Sequence, residues 1–101
     1  TVADYGRVVE MLSSEPVVSG FEVNVSCPNI KEGGALYGTD LQAFSRVIEE
    51  VRGKTAKPVI PKLAPNVSNI ALFAKAAEDR GADAISIMNS FPAMAINIET
   101  R

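Results

Sequence analysis

The sequence predicts an α/β fold in which parallel strands alternate with helices. Three short and mostly apolar segments, 21–26, 58–63 and 84–88, have the length and composition of strands. One amphipathic segment with helical periodicity separates each from the next, and another precedes the first strand. Because parallel strands joined through helices need right-handed crossovers, this order indicates either a barrel or a doubly wound sheet.

The first helix and the first strand carry the clearest local signals. Thr1 and Asp4 have the spacing of a capping box, and the apolar stripe behind them ends near Ser13. In the strand, every second residue is apolar, so its two faces differ. The apolar face carries Phe21, Val23 and Val25, and the other face carries Glu22, Asn24 and Ser26.

Polar residues before an apolar stripe, and glycines after it, delimit the other two helices. The stripes themselves are Leu41, Phe44, Val47, Ile48 and Val51 in the second helix and Ile70, Phe73, Ala74 and Ala77 in the third. The expected N-caps are Thr39 or Asp40 for the second helix and Asn66 or Ser68 for the third, and the expected terminating glycines are Gly53 and Gly81.

Composition excludes several function classes. The chain has 101 residues, 47% of them hydrophobic and 22% charged, as expected of one soluble domain. A net charge of −2 without a basic cluster argues against nucleic-acid binding. No apolar run reaches the ~20 residues that span a bilayer. A single cysteine fits the cytoplasm. Without histidine, no metal site is expected, and proton chemistry must use Cys, Lys, Tyr or a carboxylate.

Chemistry-bearing side chains follow each predicted strand. The first ends in Asn-Val-Ser-Cys-Pro-Asn (24–29), the second carries Lys62 near its end, and Asn89 and Ser90 follow the third. Taken singly, Cys27 reads as a small buried hydrophobe and the others as strand-end polar groups. The C-terminal ends of barrel strands converge, however, so these groups are expected to line one pocket. An unperturbed thiol, with a pKa of ~8.5, can act there as a base.

Three stretches together resemble dihydroorotate dehydrogenase: 24–29, Pro-Lys-Leu-Ala-Pro-Asn (61–66) and Gly-Ala-Asp-Ala-Ile-Ser-Ile-Met-Asn-Ser (81–90). The tail at 95–101 points to the class 1 enzymes and their 1B branch. The resemblance implies a partial (β/α)8 TIM barrel, with these strands as the fourth, fifth and sixth of eight. Residues 1–101 would form a single segment of an FMN-dependent domain.

The family oxidises dihydroorotate to orotate in pyrimidine synthesis, with FMN as hydride acceptor. By resemblance, Cys27 is the base that removes the C5 proton, where the membrane-associated class 2 enzymes use serine. Asn24, Asn29, Asn89 and Ser90 match substrate contacts.

The resemblance also implies flavin contacts and partners. Asn24, Lys62 and Ile87 match positions beside FMN, where Lys62 would stabilise the anionic reduced flavin. A homo-oligomer is expected, with an iron–sulfur subunit and NAD in 1B enzymes or fumarate as acceptor in 1A enzymes; the sequence leaves this choice open.

Three departures from the family pattern stand out: Pro61 in place of a β-branched residue, Asn97 in place of Asp, and Phe-Pro-Ala at 91–93 in place of a leucine-rich stretch. Pro61 is the most consequential, because proline removes a ladder donor from a central strand.

Two other interpretations remain. The FMN domain of dihydropyrimidine dehydrogenase shares the barrel, but its cysteine would lie in the stretch equivalent to 35–38, which has none. An inactive barrel fragment or scaffold is the other. A three-strand piece exposes two sheet edges, so the isolated chain is expected to bind FMN poorly, to lack turnover and to self-associate.

Overall fold

A computed structural model describes residues 1–26, 31–32, 35–91 and 93–100. Three helices alternate with three parallel strands, which lie in the sheet in the order Phe21–Asn24, Val59–Leu63, Ser86–Ile87, and a short antiparallel pair, Lys31–Glu32 with Ala35–Leu36, lies between the first strand and the second helix. This is the predicted α/β class, and it is consistent with part of a TIM barrel. The elements are α1 (Val2–Ser13), β1 (Phe21–Asn24), β2 (Lys31–Glu32), β3 (Ala35–Leu36), α2 (Leu41–Lys54), β4 (Val59–Leu63), α3 (Ile70–Asp79) and β5 (Ser86–Ile87).

Two of the predicted helix starts are confirmed and one is wrong. Thr1 and Asp4 form the capping box of α1, and Asp40 caps α2 by accepting from the Ala43 N–H at 2.7 Å. The cap of α3 is neither Asn66 nor Ser68. It is Asn69, the residue directly before the helix, whose Oδ1 accepts from the Ala71 N–H at 3.1 Å.

Helix α2 ends differently from the expectation. Gly53 lies inside it, and Thr55, in an extended conformation, is the C-cap. Arg52 holds the connection that follows, because its Nη2 donates to the main-chain carbonyls of Thr55 at 2.6 Å and Lys57 at 2.8 Å. The chain thus leaves the helix in an extended conformation, without a left-handed residue. Gly81 does end α3 as predicted, with φ of +90°.

The core lies between the sheet and the helices. Along β4, Val59, Pro61 and Leu63 are buried against the helices, whereas Ile60 and Lys62 lie on the opposite face. We call that opposite face the inner face of the sheet. The ring of Phe44 in α2 meets the ring of Phe73 in α3 edge-on, with centroids 5.4 Å apart. Other core residues include Val9, Val23, Val25, Ala43, Val47, Ile48, Val51 and Ala77.

Pro61 occupies the middle of the central strand, opposite Val23 of β1. Val59 exchanges hydrogen bonds with Asp83 on the β5 side, both at 2.9 Å. Because main-chain groups alternate in direction along a strand, the missing N–H of Pro61 also faces that side. Strand β5 pairs only beyond this point, with Lys62 and Leu63. The proline is thus accommodated by a β5 shorter than the predicted 84–88.

Helices long and apolar enough to cross a membrane do not occur in the described part of the chain.

Candidate functional site at the strand ends

The inner face of the sheet brings two of the predicted site residues into one row. Asn24 of β1 is in register with Lys62 of β4, which is in register with Ser86 of β5. Glu22 lies in the next row towards the start of the strands, opposite Ile60. In parallel strands, residues in register share a face, so the side chains of Asn24 and Lys62 leave the sheet side by side near its C-terminal edge.

A hydrogen-bonded cluster of Asn24, Ser26 and Asn89 closes this edge. Asn24 Oδ1 accepts from Ser26 Oγ at 2.8 Å and from Ser26 N at 3.3 Å. Asn89 Nδ2 donates to Ser26 Oγ at 2.8 Å and approaches Asn24 Oδ1 at 3.5 Å. The cluster therefore links the segments that follow β1 and β5. Within the described residues no acceptor meets Asn24 Nδ2, which leaves this group able to donate to a ligand.

Ser90 is held next to this cluster through its main chain. Its N–H donates to Asn89 Oδ1 at 2.8 Å, and its side chain is exposed. This bond and the one to Ser26 fix both ends of the Asn89 amide, so its orientation is determined before any ligand arrives. The exposed hydroxyl of Ser90 is consequently the adaptable polar group at this end of the site.

Lys62 forms an ion pair on the inner face. Its Nζ lies 3.0 Å from Glu22 Oε1, and the hydrogen bond from Lys62 lowers the pKa of the Glu22 carboxyl below its ordinary value. The Ser86 hydroxyl adds a smaller effect of the same sign on that pKa, although its geometry falls short of a hydrogen bond to any described residue. A buried hydroxyl without a partner is costly, so Ser86 Oγ is a group that a ligand could satisfy.

Tyr5 ties α1 to the site. Its hydroxyl donates to the main-chain carbonyl of Asn24 at 3.0 Å, and its ring meets the buried ring of Tyr37 edge-on at 5.7 Å. The hydrogen bond holds the end of β1 from its open side. No periodicity in the sequence connects a helical tyrosine with a strand end, so sequence reasoning missed this contact.

The other predicted site residues are not gathered here. Ile87 is in register with Leu63, so it lies on the helix-facing side of the sheet, opposite to Lys62, and its side chain is 63% exposed. Cys27 and Asn29 lie outside the described residues. Sequence reasoning also missed Glu22 and Ser86. The alternation of β1, which puts Glu22 on the face of Asn24, was the signal for the first of them.

Clusters of side chains that could hold a metal ion are not found among the residues that the structure describes. The chemistry of the inner face is instead that of one ammonium, one carboxylate, amides and hydroxyls. Such a set can hold a polar, hydrogen-bonding ligand and stabilise negative charge on it.

A parallel α/β segment with polar side chains converging beyond its strands is characteristic of barrel enzymes. A sequence profile of the family described as "Dihydroorotate dehydrogenase" matches residues 1–101. This chain therefore belongs to the dihydroorotate dehydrogenase family of oxidoreductases.

Individual relatives agree with the profile. The chain is 48% identical over 101 residues to the "Dihydroorotate dehydrogenase B (NAD(+)), catalytic subunit" of Geotalea uraniireducens, and likewise 48% identical to that of Citrifermentans bemidjiense. It is 43% identical over 99 residues to the "Dihydroorotate dehydrogenase A (fumarate)" of Lacticaseibacillus paracasei. These matches cover 98–100% of the chain and 33–34% of the relatives, so the chain spans about a third of their length.

Proposed function

We propose that the chain is a single segment of a dihydroorotate dehydrogenase that oxidises dihydroorotate to orotate with FMN as hydride acceptor, in cytoplasmic pyrimidine synthesis. The observation that carries the proposal is the cluster of Asn24, Ser26 and Asn89 in the same corner as Lys62. The cluster and Lys62 together bring polar groups from three strand ends, as a barrel active site requires.

The cluster suits the substrate. Dihydroorotate presents ring N–H and carbonyl groups and a carboxylate, and amide side chains can both donate to and accept from such groups. Asn24 Nδ2 has no acceptor among the described residues, and Ser90 is exposed beside Asn89. We assign substrate binding to these three residues and to Asn29, whose role rests on the resemblance alone.

Cys27 is the proposed general base. It directly follows Ser26 in the sequence, and the hydroxyl of Ser26 is fixed by Asn24 and Asn89; this adjacency supports the assignment. Its task is to accept the proton from C5 of the substrate as a thiolate. Residues 1–101 contain no histidine that could compete for this role.

The inner face fits FMN in two respects. Lys62 offers a positive charge on the face that also carries Asn24, and Ser86 Oγ is a buried hydroxyl without a partner among the described residues. When bound, FMN supplies the acceptor for the hydride. Lys62 would hold a fixed cation beside its polar ring edge, and Asn24 would orient that edge. Ile87 is proposed as a flavin contact on the resemblance alone, because its register with Leu63 places it on the other face of the sheet.

Two partners belong to the proposal. The relatives from Geotalea and Citrifermentans are named as catalytic subunits, which indicates that those proteins work with a further subunit. We propose that an iron–sulfur electron-transfer subunit serves this chain's protein in the same way, and that the catalytic subunit forms a homo-oligomer.

The test uses a chimera in which residues 1–101 replace the matched third of the Geotalea uraniireducens subunit. We expect it to bind FMN and oxidise dihydroorotate. Cys27→Ala should lower kcat by roughly 10²–10⁴-fold, as for removal of a general base, while FMN stays bound. Ser14→Ala, at an exposed position at the end of α1, is the control. A chimera that holds FMN but keeps full turnover without Cys27 contradicts the proposal.

A further inference from the structure

The ammonium of Lys62 is directed diagonally across the inner face. The register partner of Lys62 on β1 is Asn24, yet its Nζ lies 3.0 Å from the carboxylate of Glu22, one row further back. On the other side, Lys62 is in register with Ser86 of β5. The lysine is therefore drawn along the sheet towards β1, and its position depends on a residue that the proposed reaction does not use.

We propose that Glu22 is a positioning residue, which holds the Lys62 ammonium against the inner face and so sets where the positive charge meets FMN. This inference rests on the proposed function only for the identity of the group that receives the charge. The ion pair itself belongs to the described residues.

A lysine side chain needs such a partner if its charge is to act at one place. Its four-carbon stem is flexible and its ammonium is strongly hydrated, so an unheld Lys62 would spread its charge over many rotamers. The surroundings favour the pair, because the Lys62 side chain is only 29% exposed, whereas Lys75, in a pair on the helix surface, is 63% exposed. Lower exposure means weaker screening of the attraction.

Positioning and plain electrostatics make opposite predictions. A carboxylate that acted only through its negative charge would weaken the field of Lys62 at the flavin, and its removal would raise the reduction potential of FMN. A carboxylate that holds the ammonium in place does the reverse, since without it the cation leaves and the potential falls. The sign of the shift therefore distinguishes the two roles.

The first measurement needs no flavin. Trace acetylation of the chimera without FMN, followed by mass spectrometry, gives the reactivity of each lysine amine. We expect Glu22→Gln to make Lys62 react several-fold faster and to leave Lys54 unchanged. Glu49→Gln, which breaks a comparable pair with Arg80 at 3.1 Å on the helices, should not alter Lys62. Equal reactivity of Lys62 with and without Glu22 would overturn the proposal.

The second measurement is the midpoint potential of bound FMN. Lys62→Met should lower it, Glu22→Gln should lower it by most of the same shift, and the double variant should match Lys62→Met, because interacting residues are not additive. Should Glu22→Gln not fold, Glu22→Asp replaces it. That variant keeps the charge but shortens the reach, and positioning still predicts a fall. A rise or no change in either Glu22 variant overturns the inference. An unchanged potential in Lys62→Met instead refutes the proposed flavin role of Lys62.

Discussion

Asn89 donates a hydrogen bond from Nδ2 to Ser26 Oγ at 2.8 Å, although the two residues are 63 positions apart in the chain. Strand β4 lies between the strands that precede them, so this bond passes beyond its C-terminal end. The contact makes one polar corner out of two loops that no local signal connects. Several expected effects of substitution depend on this corner and on the packing beneath it.

Ser26→Ala should weaken substrate binding in the chimera. The change removes one acceptor of Asn89 and one donor to Asn24, so each amide loses one of the hydrogen bonds that fix its orientation. We expect KM for dihydroorotate to rise and the free energy of unfolding to fall by about 1 kcal/mol, as for loss of a hydrogen bond. Steady-state kinetics and urea unfolding measure the two effects. Ser45→Ala, which removes only an exposed hydroxyl bonded within α2, should leave KM unchanged. An unaltered KM in Ser26→Ala would contradict the role of the cluster.

Gly38→Ala should be destabilising. A methyl group at Gly38 would come within 2.5 Å of the Val25 carbonyl oxygen and 3.2 Å of Ser26 Cα, so the main chain beside the site would have to move. We expect a loss of about 1–3 kcal/mol in unfolding free energy, as for overpacking.

Gly53→Ala is the matched control for Gly38→Ala. A methyl group there meets nothing within 4 Å, and the position is inside α2. Because glycine in a helix interior is less favourable than alanine by about 0.5–1 kcal/mol, this variant should be more stable than the parent. Equal effects of the two substitutions in urea unfolding would show that the close approach at Gly38 is not a constraint.

Phe73→Ala should cost about 3–5 kcal/mol, the usual range for deleting a buried aromatic ring. The Phe73 ring is 7% exposed and packs edge-on against Phe44, so its removal leaves a cavity between α2 and α3. Leu72→Ala, one position earlier and 53% exposed, should change stability far less. Chemical denaturation of the two variants tests the packing. A loss as small for Phe73→Ala as for Leu72→Ala would contradict the assigned core.

Asp83 should make stability depend on pH in the acid range. Its Oδ2 accepts from the Val59 N–H at 2.9 Å and from Arg52 Nη1 at 2.8 Å, and these bonds, the one from Val59 foremost, lower the pKa of Asp83. A carboxyl whose pKa is lower in the folded state stabilises the fold fully above its unfolded pKa, about 3.9. This contribution is lost as pH falls through the folded value.

Asp83→Asn should therefore flatten the acid limb of the stability profile. The measurement is the urea midpoint of both proteins as pH is lowered through the carboxyl range. Arg52→Met, which removes one of the two donors, should move the limb of the parent towards higher pH because the pKa of Asp83 would then rise. If the acid limb were as steep in Asp83→Asn as in the parent, the loss of stability at low pH would come from other carboxyls.

Local signals in the sequence predicted the elements well where one residue decides the outcome. The capping box of Thr1 and Asp4, the cap at Asp40 and the left-handed Gly81 follow from short-range geometry. The end of α2 could not be predicted in this way. Thr55 ends the helix in an extended conformation, and the guanidinium of Arg52 binds the carbonyls of Thr55 and Lys57 in the connection that follows.

The sequence likewise predicted one part of the candidate site and left another part undetermined. Strand periodicity put Asn24 and Ser26 on the face away from the apolar residues, and the order of elements put Lys62 at the same edge of a parallel sheet. Only the strand register shows that Ile87 lies on the opposite face and that β5 pairs with β4 only beyond Pro61.

The sequence by itself determined the alternating α/β order, the apolar faces and the set of polar residues that end the strands, because each depends on periodicity or on chain neighbours. Only the tertiary structure decided that Lys62 pairs with Glu22, that Asn89 reaches Ser26 and that Tyr5 holds the carbonyl of Asn24. These contacts join residues 19 to 63 positions apart. Their formation depends on how strands align and helices dock, which no local pattern encodes.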